Sequence, residues 1–285
     1  MKLKLDSAAL RNIFEAHSIP LPLSGQVLFA LRGALPTGAS TSSTTGRGWS
    51  KSVELALVEP DFIHMRCTLG IWDLDTGKLF AAPGSTVPHL DNVLKAAARK
   101  GVMQGRGTNQ LEPGFYADLT KGEHLQGKPA GHAALRQTGF RFYRRARVFK
   151  KGAPPYTKNS PLYFGNPYDN LHCAWNKNPQ SAGFRSAGCL VVAGWPHSPR
   201  LEEAEPNQGP WKTFHDFLYA GAQKSFPLLL LPAKDALASG LLYGSEGPAV
   251  EKLQRRLAAK GHYKGRITGK LGVSTYRAWN GAGLT

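Results

Sequence analysis

Residues 170–192 read NLHCAWNKNPQSAGFRSAGCLVV, and this stretch holds the two reactive side chains around which we expect the fold to be arranged. They are His172 and Cys189, and the apolar residues after the cysteine are typical of a β-strand. A thiol is a strong nucleophile only as the thiolate, so a reactive cysteine needs a base or a positive charge nearby. His172 lies 17 positions away (189 − 172), and it reaches Cys189 only if 171–175 and 190–193 form neighbouring strands.

The residues just before the cysteine suit this interpretation but do not decide it. Gly188 allows a sharp turn, after which the amides of Gly188 and Cys189 could face a developing oxyanion. The same pattern is also compatible with a purely structural role, because a cysteine before an apolar run is often a small buried residue. An isolated histidine is likewise often a satisfied core residue.

The order His172, Ser186, Gly188, Cys189, followed by an apolar strand, resembles the catalytic motif of the L,D-transpeptidases. Those enzymes rebuild peptidoglycan cross-links through a cysteine acyl-enzyme. The resemblance implies that Cys189 is the nucleophile and His172 the base. It also implies that Ser186 and Gly188 shape the catalytic loop.

The chain departs from the family motif at two places. Ala187 stands where the family has a histidine, and Val191 and Val192 stand where it has an arginine or asparagine. Arg185, just before the loop, is the residue that could supply the missing charge. The residues that we expect to bind the substrate are Arg185, Trp175 and Asn176.

The three cysteines, Cys67, Cys173 and Cys189, are irregularly spaced, which is typical neither of a disulfide framework nor of a zinc site. Cys173 is next to His172 on a predicted strand, so we expect it to point to the opposite face, into the core. His89, His124 and His132 are scattered without carboxylates at metal-ligand spacing. We therefore expect no metal and no cofactor.

The net charge is +17, which attracts the chain to anionic cell walls and to nucleic acid. The densest basic segment, 140–151, reads FRFYRRARVFKK. We expect it to be a strand with alternate residues in solvent; a nucleic-acid surface is the alternative, but no recognised motif accompanies it. No apolar run is long enough for a membrane span. The first residues carry charges where a secretory signal has its apolar core, which predicts a non-Sec route to the wall or periplasm.

The pattern of short strand-like segments predicts a β-rich α+β fold. The chain divides into an N-terminal part with a helix, a strand and a Ser/Thr/Gly-rich loop (1–50), a catalytic domain (51–232) and a C-terminal module (243–285). The resemblance to L,D-transpeptidases implies a β-sandwich for the catalytic domain. The predicted strands are 26–31, 52–58, 62–72, 109–116, 140–149, 161–164 and 225–231, with a hairpin at 73–80, and the predicted helices are 7–17, 91–100 and 211–218.

The C-terminal module resembles the small helical peptidoglycan-binding repeat. Pro248 begins the first predicted helix and Gly261 ends it. The second helix is expected to start at Ser274 or Thr275. The residues that carry the repeat pattern, and that we expect to bind peptidoglycan, are Leu253, Gln254, Tyr263 and Thr275.

Both resemblances point to peptidoglycan. The predicted protein is a cysteine enzyme that acts on L,D-type amide bonds of stem peptides through an acyl-enzyme, as a transpeptidase, carboxypeptidase or endopeptidase. Without a signal peptide, we expect it to be delivered as a cell-wall effector or lysin. The alternative is a non-enzymatic peptidoglycan-docking component of a phage tail or contractile injection machine.

Overall fold

A computed structural model describes residues 2–38, 48–145 and 155–283. The described chain is β-rich, as the sequence predicts, and none of its helices is both long and apolar enough to cross a membrane. The strands are β1 (Lys2–Asp6), β2 (Gln26–Arg32), β3 (Ala34–Pro36), β4 (Ser52–Leu57), β5 (Cys67–Asp73), β6 (Leu79–Ser85), β7 (Gln110–Leu111), β8 (Gly114–His124), β9 (His132–Gln137), β10 (Arg141–Arg144), β11 (Leu162–Gly165), β12 (Leu171–Cys173), β13 (Leu190–Val192) and β14 (Ser225–Pro232). The α-helices are α1 (Ser7–Ala16), α2 (Leu90–Ala97), α3 (Pro210–Ala220), α4 (Pro248–Ala259) and α5 (Val273–Gly281).

Eight strands close into a barrel in the order β12-β13-β6-β5-β2-β14-β8-β9. The resemblance implied a β-sandwich, but the hydrogen-bonded pairing continues all the way round. Closure is made by β9, which pairs with β8 along its length and with β12 where Leu135 lies opposite Leu171. Two three-stranded sheets, β1-β4-β3 and β11-β10-β7, lie outside the barrel.

Strands β2 and β14 are apolar on both faces because each face packs into a different buried cluster. On β2, Leu28 and Ala30 belong to the same buried cluster as α3, whereas Val27, Phe29 and Leu31 share a second cluster with α1. β14 contributes to both clusters, which explains its unbroken LLLL run. Alternate strand residues point to opposite faces, so each face adds its own buried apolar area to stability.

Local signals in the sequence correctly predict several elements. Helix α1 begins where predicted, because the Asp6 carboxylate accepts a hydrogen bond from the Ala9 amide at 2.9 Å. The predicted hairpin joins β5 to β6 through Gly77, whose φ of 66° suits glycine. The strand predicted over 62–72 starts later, at Cys67, because the Asp61 carboxylate binds the amides of Ile63 and His64 in a turn.

The basic segment 140–151 forms the predicted strand over Arg141–Arg144 (β10), but the predicted alternation of its residues into solvent is wrong; residues 146–151 lie outside the described residues. Arg141 and Arg144 on β10 are both buried instead of alternating into solvent. Arg141 binds Asp118 at 2.7 Å and Arg144 binds Glu112 at 2.9 Å. These arginines are neutralised by buried acids, which removes them from any nucleic-acid surface.

The C-terminal helices α4 and α5 form as predicted, with Pro248 at the first turn of α4 and Gly261 at a φ of 77° beyond its end. They do not pack on each other alone: the Tyr276 ring of α5 packs at a tilt of 35° against the Phe142 ring of β10, with centroids 4.4 Å apart. The Tyr276 hydroxyl also donates to Glu112 at 3.2 Å. The boundary at 243 stays a prediction, and this shared cluster indicates that the module depends on the outer sheet β11-β10-β7 for part of its core.

The side-chain amide of Gln254 joins the two helices and the turn between them. Its Nε2 donates to the hydroxyls of Thr268 and Thr275 and to the Lys270 carbonyl, and its Oε1 accepts from the amides of Thr268 and Gly269. Gln254 is fully buried, so water cannot replace these bonds.

We therefore expect Gln254→Ala to destabilise the protein by roughly 3 kcal/mol, since several buried donors and acceptors lose their partner. Urea unfolding followed by circular dichroism measures the loss. Arg255→Ala, one position along the same helix and exposed, should change the free energy of unfolding by less than about 0.5 kcal/mol. Equal effects of both substitutions would show that the Gln254 amide does not hold the module together.

Candidate active site

The parallel pairing of β12 with β13 brings His172 and Cys189 together. Leu171 lies opposite Leu190, and the Leu190 amide donates to the Asn170 carbonyl at 2.9 Å, so Cys189 stands just ahead of the paired residues. The reactive atoms of His172 and Cys189 lie within 4.8 Å of each other. The sequence predicted this meeting of the two strands.

Cys189 differs from the other two cysteines in its surroundings. It is 8% exposed, compared with 1% for Cys67 and 0% for Cys173. Cys173 points into the main barrel cluster, on the face opposite His172, as predicted. All three cysteines are buried, and Cys189 is the most exposed of them.

Two further histidines join His172, and the sequence analysis did not predict this. His124 ends β8 and His132 begins β9, and they lie opposite each other across the hairpin. The His124 ring stacks on the His172 ring, with centroids 4.0 Å apart and an interplanar angle of 12°. His132 Nε2 lies 3.3 Å from His172 Nδ1. The signal in the sequence is the pair of histidines at the two ends of one hairpin turn.

Backbone carbonyls fix the tautomers of two of these rings. His172 Nδ1 lies 2.8 Å from the Cys173 carbonyl, which only accepts, so Nδ1 carries the proton and Nε2 is left to accept one. His132 Nδ1 likewise donates to the Ala130 carbonyl at 2.8 Å. His132 Nε2 is then an acceptor for the same Nδ1 proton of His172. The arrangement gives His172 the form that a general base needs.

The site is neutral at rest because it is buried. Burial lowers the pKa of His172 well below its usual value, and nearby His124 and His132 lower it further whenever they are charged. Burial lowers the pKa of His124 to about 4 and also lowers that of His132. Burial raises the pKa of the Cys189 thiol, and the Asp169 carboxylate adds to the rise. A thiol and a neutral imidazole are therefore expected at pH 7 rather than an ion pair.

The loop before the cysteine is built by Ser186 and Gly188. Ser186 Oγ accepts from the Gly188 amide at 3.1 Å and donates to the Cys189 carbonyl at 2.7 Å. A Cβ on Gly188 would lie 2.6 Å from Asp169 Oδ1, so no larger residue fits. The Gly188 amide is occupied by Ser186, which corrects the expectation that it faces an oxyanion. The backbone N–H groups of Asn170 and Cys189 bind the sulfur and lower its pKa.

Asp169 is a residue of this site that the sequence analysis missed. It is buried behind Gly188, where its Oδ2 accepts from Asn109 Nδ2 at 3.0 Å and its amide donates to Gln137 Oε1 at 3.0 Å. Burial raises the pKa of the Asp169 carboxyl to about 7. The signal for this residue in the sequence was the pair Asp169-Asn170, which stands directly before the short strand β12.

The three residues expected to bind substrate divide into two groups. Arg185 is exposed and its guanidinium lies 5.0 Å from the centre of the Trp175 ring. Trp175 has a φ of 57°, strained for a bulky residue, and its ring meets Trp195 at 5.7 Å. The Asn176 side chain instead bonds within its own loop, to the Ser181 hydroxyl and the Asn178 amide, so it shapes the loop and does not face a ligand.

The four residues expected to bind peptidoglycan are also structural. Each of them is at most 9% exposed, and Gln254 is at 0%. They form the core and the hydrogen-bond centre of the C-terminal module. Contacts with a ligand must come from other residues. The buried four are Leu253, Gln254, Tyr263 and Thr275.

The cluster of His124, His172 and Cys189 has the ligand types that a soft metal prefers. A metal must lie in the plane of each imidazole, about 2.1 Å from its nitrogen. The two rings are stacked almost parallel, so their lone pairs run side by side and do not converge on one point. This geometry suits proton transfer better than coordination.

Comparison of the chain with protein-family models, curated proteins and solved structures finds no match. The resemblance to L,D-transpeptidases therefore stays a prediction.

The raised pKa of Asp169 predicts how the free energy of unfolding changes with pH. An aspartate in the unfolded chain has a pKa of about 3.9, whereas the folded Asp169 keeps its proton up to about pH 7. The unfolded chain therefore loses the proton first, and stability falls as pH rises from about 4 to 7. Asp169→Asn, which can still accept from Asn109, should remove this fall.

The free energy of unfolding of the wild type and of Asp169→Asn should be measured by urea titration from pH 4 to pH 7. The difference between them should grow in favour of the variant as pH rises. The control is Asp91→Asn, whose carboxylate is 71% exposed and should leave the profile parallel to that of the wild type. A constant difference for Asp169→Asn would contradict the buried, protonated carboxyl.

Proposed function

We propose that the chain is a cysteine enzyme that acts on peptidoglycan stem peptides through an acyl-enzyme. The observation that carries the proposal is the placement of Cys189 Sγ beside a histidine whose Nδ1 is tied to a carbonyl. A nucleophile, a base within reach of it and a group that orients the base are the parts that such chemistry requires. The choice of stem peptides as the substrate rests on the two family resemblances of the sequence.

The proposed reaction begins when His172 Nε2 takes the thiol proton and Sγ attacks the amide carbonyl. The resulting imidazolium keeps its hydrogen bond to the Cys173 carbonyl, which stabilises the charge. The imidazolium then returns the proton to the leaving amine as the carbon–nitrogen bond breaks, leaving a thioester on Cys189. An amine attacking the thioester gives transpeptidation, and water gives hydrolysis.

The neutral resting state places a condition on this reaction. Because burial disfavours both the thiolate and the imidazolium, the ion pair forms during the reaction and not before it. A bound substrate that excludes water would strengthen the attraction between the two charges. The amide hydrogen bonds of Asn170 and Cys189 to the sulfur lower the cost of forming the thiolate.

The entrance to the site has features that suit a stem peptide. Trp175 and Trp195 form an aromatic rim, and Arg185 presents a positive charge beside it. Stem peptides carry free carboxylates, which an exposed guanidinium binds well. We assign Arg185 and Trp175 to substrate binding, and add Trp195, which is 40% exposed.

Wall binding is proposed to come from the outer face of α4. Its buried face consists of Val250, Leu253, Gln254 and Leu257, so Lys252, Arg255 and Arg256 project on the opposite side. All three are exposed and form no ion pair with another described residue. Such a stripe attracts the anionic groups of a cell wall over a distance set by the salt concentration.

A second candidate is a non-enzymatic docking protein with an inactive site. The observation that favours it is the burial of Cys189, which is only 8% exposed and whose pKa is raised. A docking protein would bind sacculi without changing their muropeptides, so chemistry at Cys189 separates the two candidates.

Cys189→Ala should abolish the turnover of muropeptides, because it removes the nucleophile and leaves a volume that the core tolerates. Turnover is measured by mass spectrometry of the muropeptides after incubation with the protein. Cys173→Ser is the matched control; it alters a thiol that points away from His172, and should keep most activity if the fold is retained. Wild-type turnover by Cys189→Ala would rule out the assigned nucleophile.

Replacing Lys252, Arg255 and Arg256 by Glu should weaken retention on sacculi at low salt by at least tenfold, because an attractive face becomes repulsive. A second triple variant, with Lys4, Lys51 and Lys128 replaced by Glu, changes the net charge equally at exposed positions elsewhere. A sedimentation assay over a range of salt concentrations measures retention. If both variants lose retention equally, net charge and not the α4 stripe binds the wall.

A further inference from the structure

We propose that His124 is a positioning residue of the reaction: its stacked ring holds His172 in the proton-accepting orientation and stabilises the imidazolium that forms. The proposal rests on the cysteine–histidine chemistry proposed above, but not on peptidoglycan being the substrate. It concerns a histidine that lies 48 positions before His172 (172 − 124) and outside the motif that identified the site.

The first support is the contact between the rings. His124 and His172 overlap face to face, at 4.0 Å and 12°, and the reactive atom of His124 lies within 4.8 Å of Cys189 Sγ. His172 is thus held on one side by a flat ring and at Nδ1 by the Cys173 carbonyl. With both contacts in place, the ring cannot turn Nε2 away without losing the stack.

The second support is that Asn170 fixes the tautomer of His124. Asn170 Oδ1 accepts from the Gln137 amide at 3.1 Å, which sets the orientation of its amide group. Asn170 Nδ2 must then donate to His124 Nδ1, also at 3.1 Å. His124 Nδ1 is therefore an acceptor, and in the neutral ring the proton is on Nε2. Asn170 belongs to the same N-L-H segment as His172, so one stretch of backbone positions both rings.

A neutral His124 is the form that helps the reaction. The face of a neutral aromatic ring attracts a cation, so an imidazolium at His172 gains a favourable contact. A charged His124 would repel it. His124 stays neutral above about pH 5, because burial lowers its pKa to about 4.

The groups that face His124 do not give its ring a charge. They are His132 across the hairpin, which is also kept neutral by burial, His172 beneath the ring, and the thiol of Cys189. Glu123, the residue directly before His124, forms an ion pair with Arg200. Asp169 acts on Cys189 from the other side of the loop.

The test measures the reactivity of Cys189 towards iodoacetamide, which alkylates the thiolate and needs no peptidoglycan. Peptide mapping by mass spectrometry reports the rate at Cys189 alone, over a range of pH. His124→Ala removes the stacked ring, so the rate at neutral pH should fall about tenfold, with the rise in rate moved to higher pH. His124→Phe restores a flat ring and should recover most of the rate, whereas His124→Asn should not.

Wild-type reactivity in a folded His124→Ala protein would overturn the proposal, as would a loss in the Phe variant as large as that in the Asn variant, because a flat ring would then not restore the rate. Recovery by Asn and not by Phe would also overturn it, and would assign the effect to the Asn170 contact. If His124→Ala does not fold, the comparison of the Phe and Asn variants still decides. Leu125→Ala, at the exposed neighbouring position, is the control for general disturbance of the hairpin. Muropeptide turnover is measured separately: its absence, with the alkylation pattern intact, would reject the proposed substrate and leave the role of His124 standing.

Discussion

The pairing of β12 with β13 is the constraint on which the rest of the site depends. Each strand has only three residues, and the register that sets Leu171 against Leu190 also sets His172 beside Cys189. A shift by one residue would turn His172 into the apolar cluster and Cys173 towards the other histidines. The barrel prevents this shift, because β12 is also held by β9 and β13 by β6. The register of these two short strands is thus set by their outer neighbours β9 and β6, and not by the bonds between β12 and β13 alone.

Burial determines which chemistry the pair can perform. The same low-polarity surroundings that raise the pKa of the thiol lower the pKa of the imidazole, so they separate the two values in the direction that opposes the ion pair. In the proposed reaction the charged forms are favoured by the Cys173 carbonyl, the amides at the sulfur and the neutral ring of His124.

The sequence predicted the pair, the loop before the cysteine and most helices and strands, because these depend on local signals: an apolar run, a capping aspartate, a glycine at a turn. It did not predict that His124 and His132 would join the pair. Strand β9, HAALRQ, lacks the β-branched residues that mark a strand, and its place is set by pairing with β8 and β12. The burial of Arg141 and Arg144 was missed for a similar reason, since their partners Asp118 and Glu112 lie more than 20 positions away.

In the C-terminal module the pattern predicted both helices correctly, and the four residues expected to bind peptidoglycan are buried. The Gln254 amide donates to the Thr275 hydroxyl and so joins the two helices, which makes the role of both residues in this fold structural. The most direct test of the central claim is the mass of the protein after incubation with a carbapenem, whose strained amide opens on attack by a nucleophile. We expect the added mass of the whole compound on the peptide that contains Cys189, and no added mass in His172→Ala. An unmodified Cys189, or label on Cys67 or Cys173 instead, would contradict it.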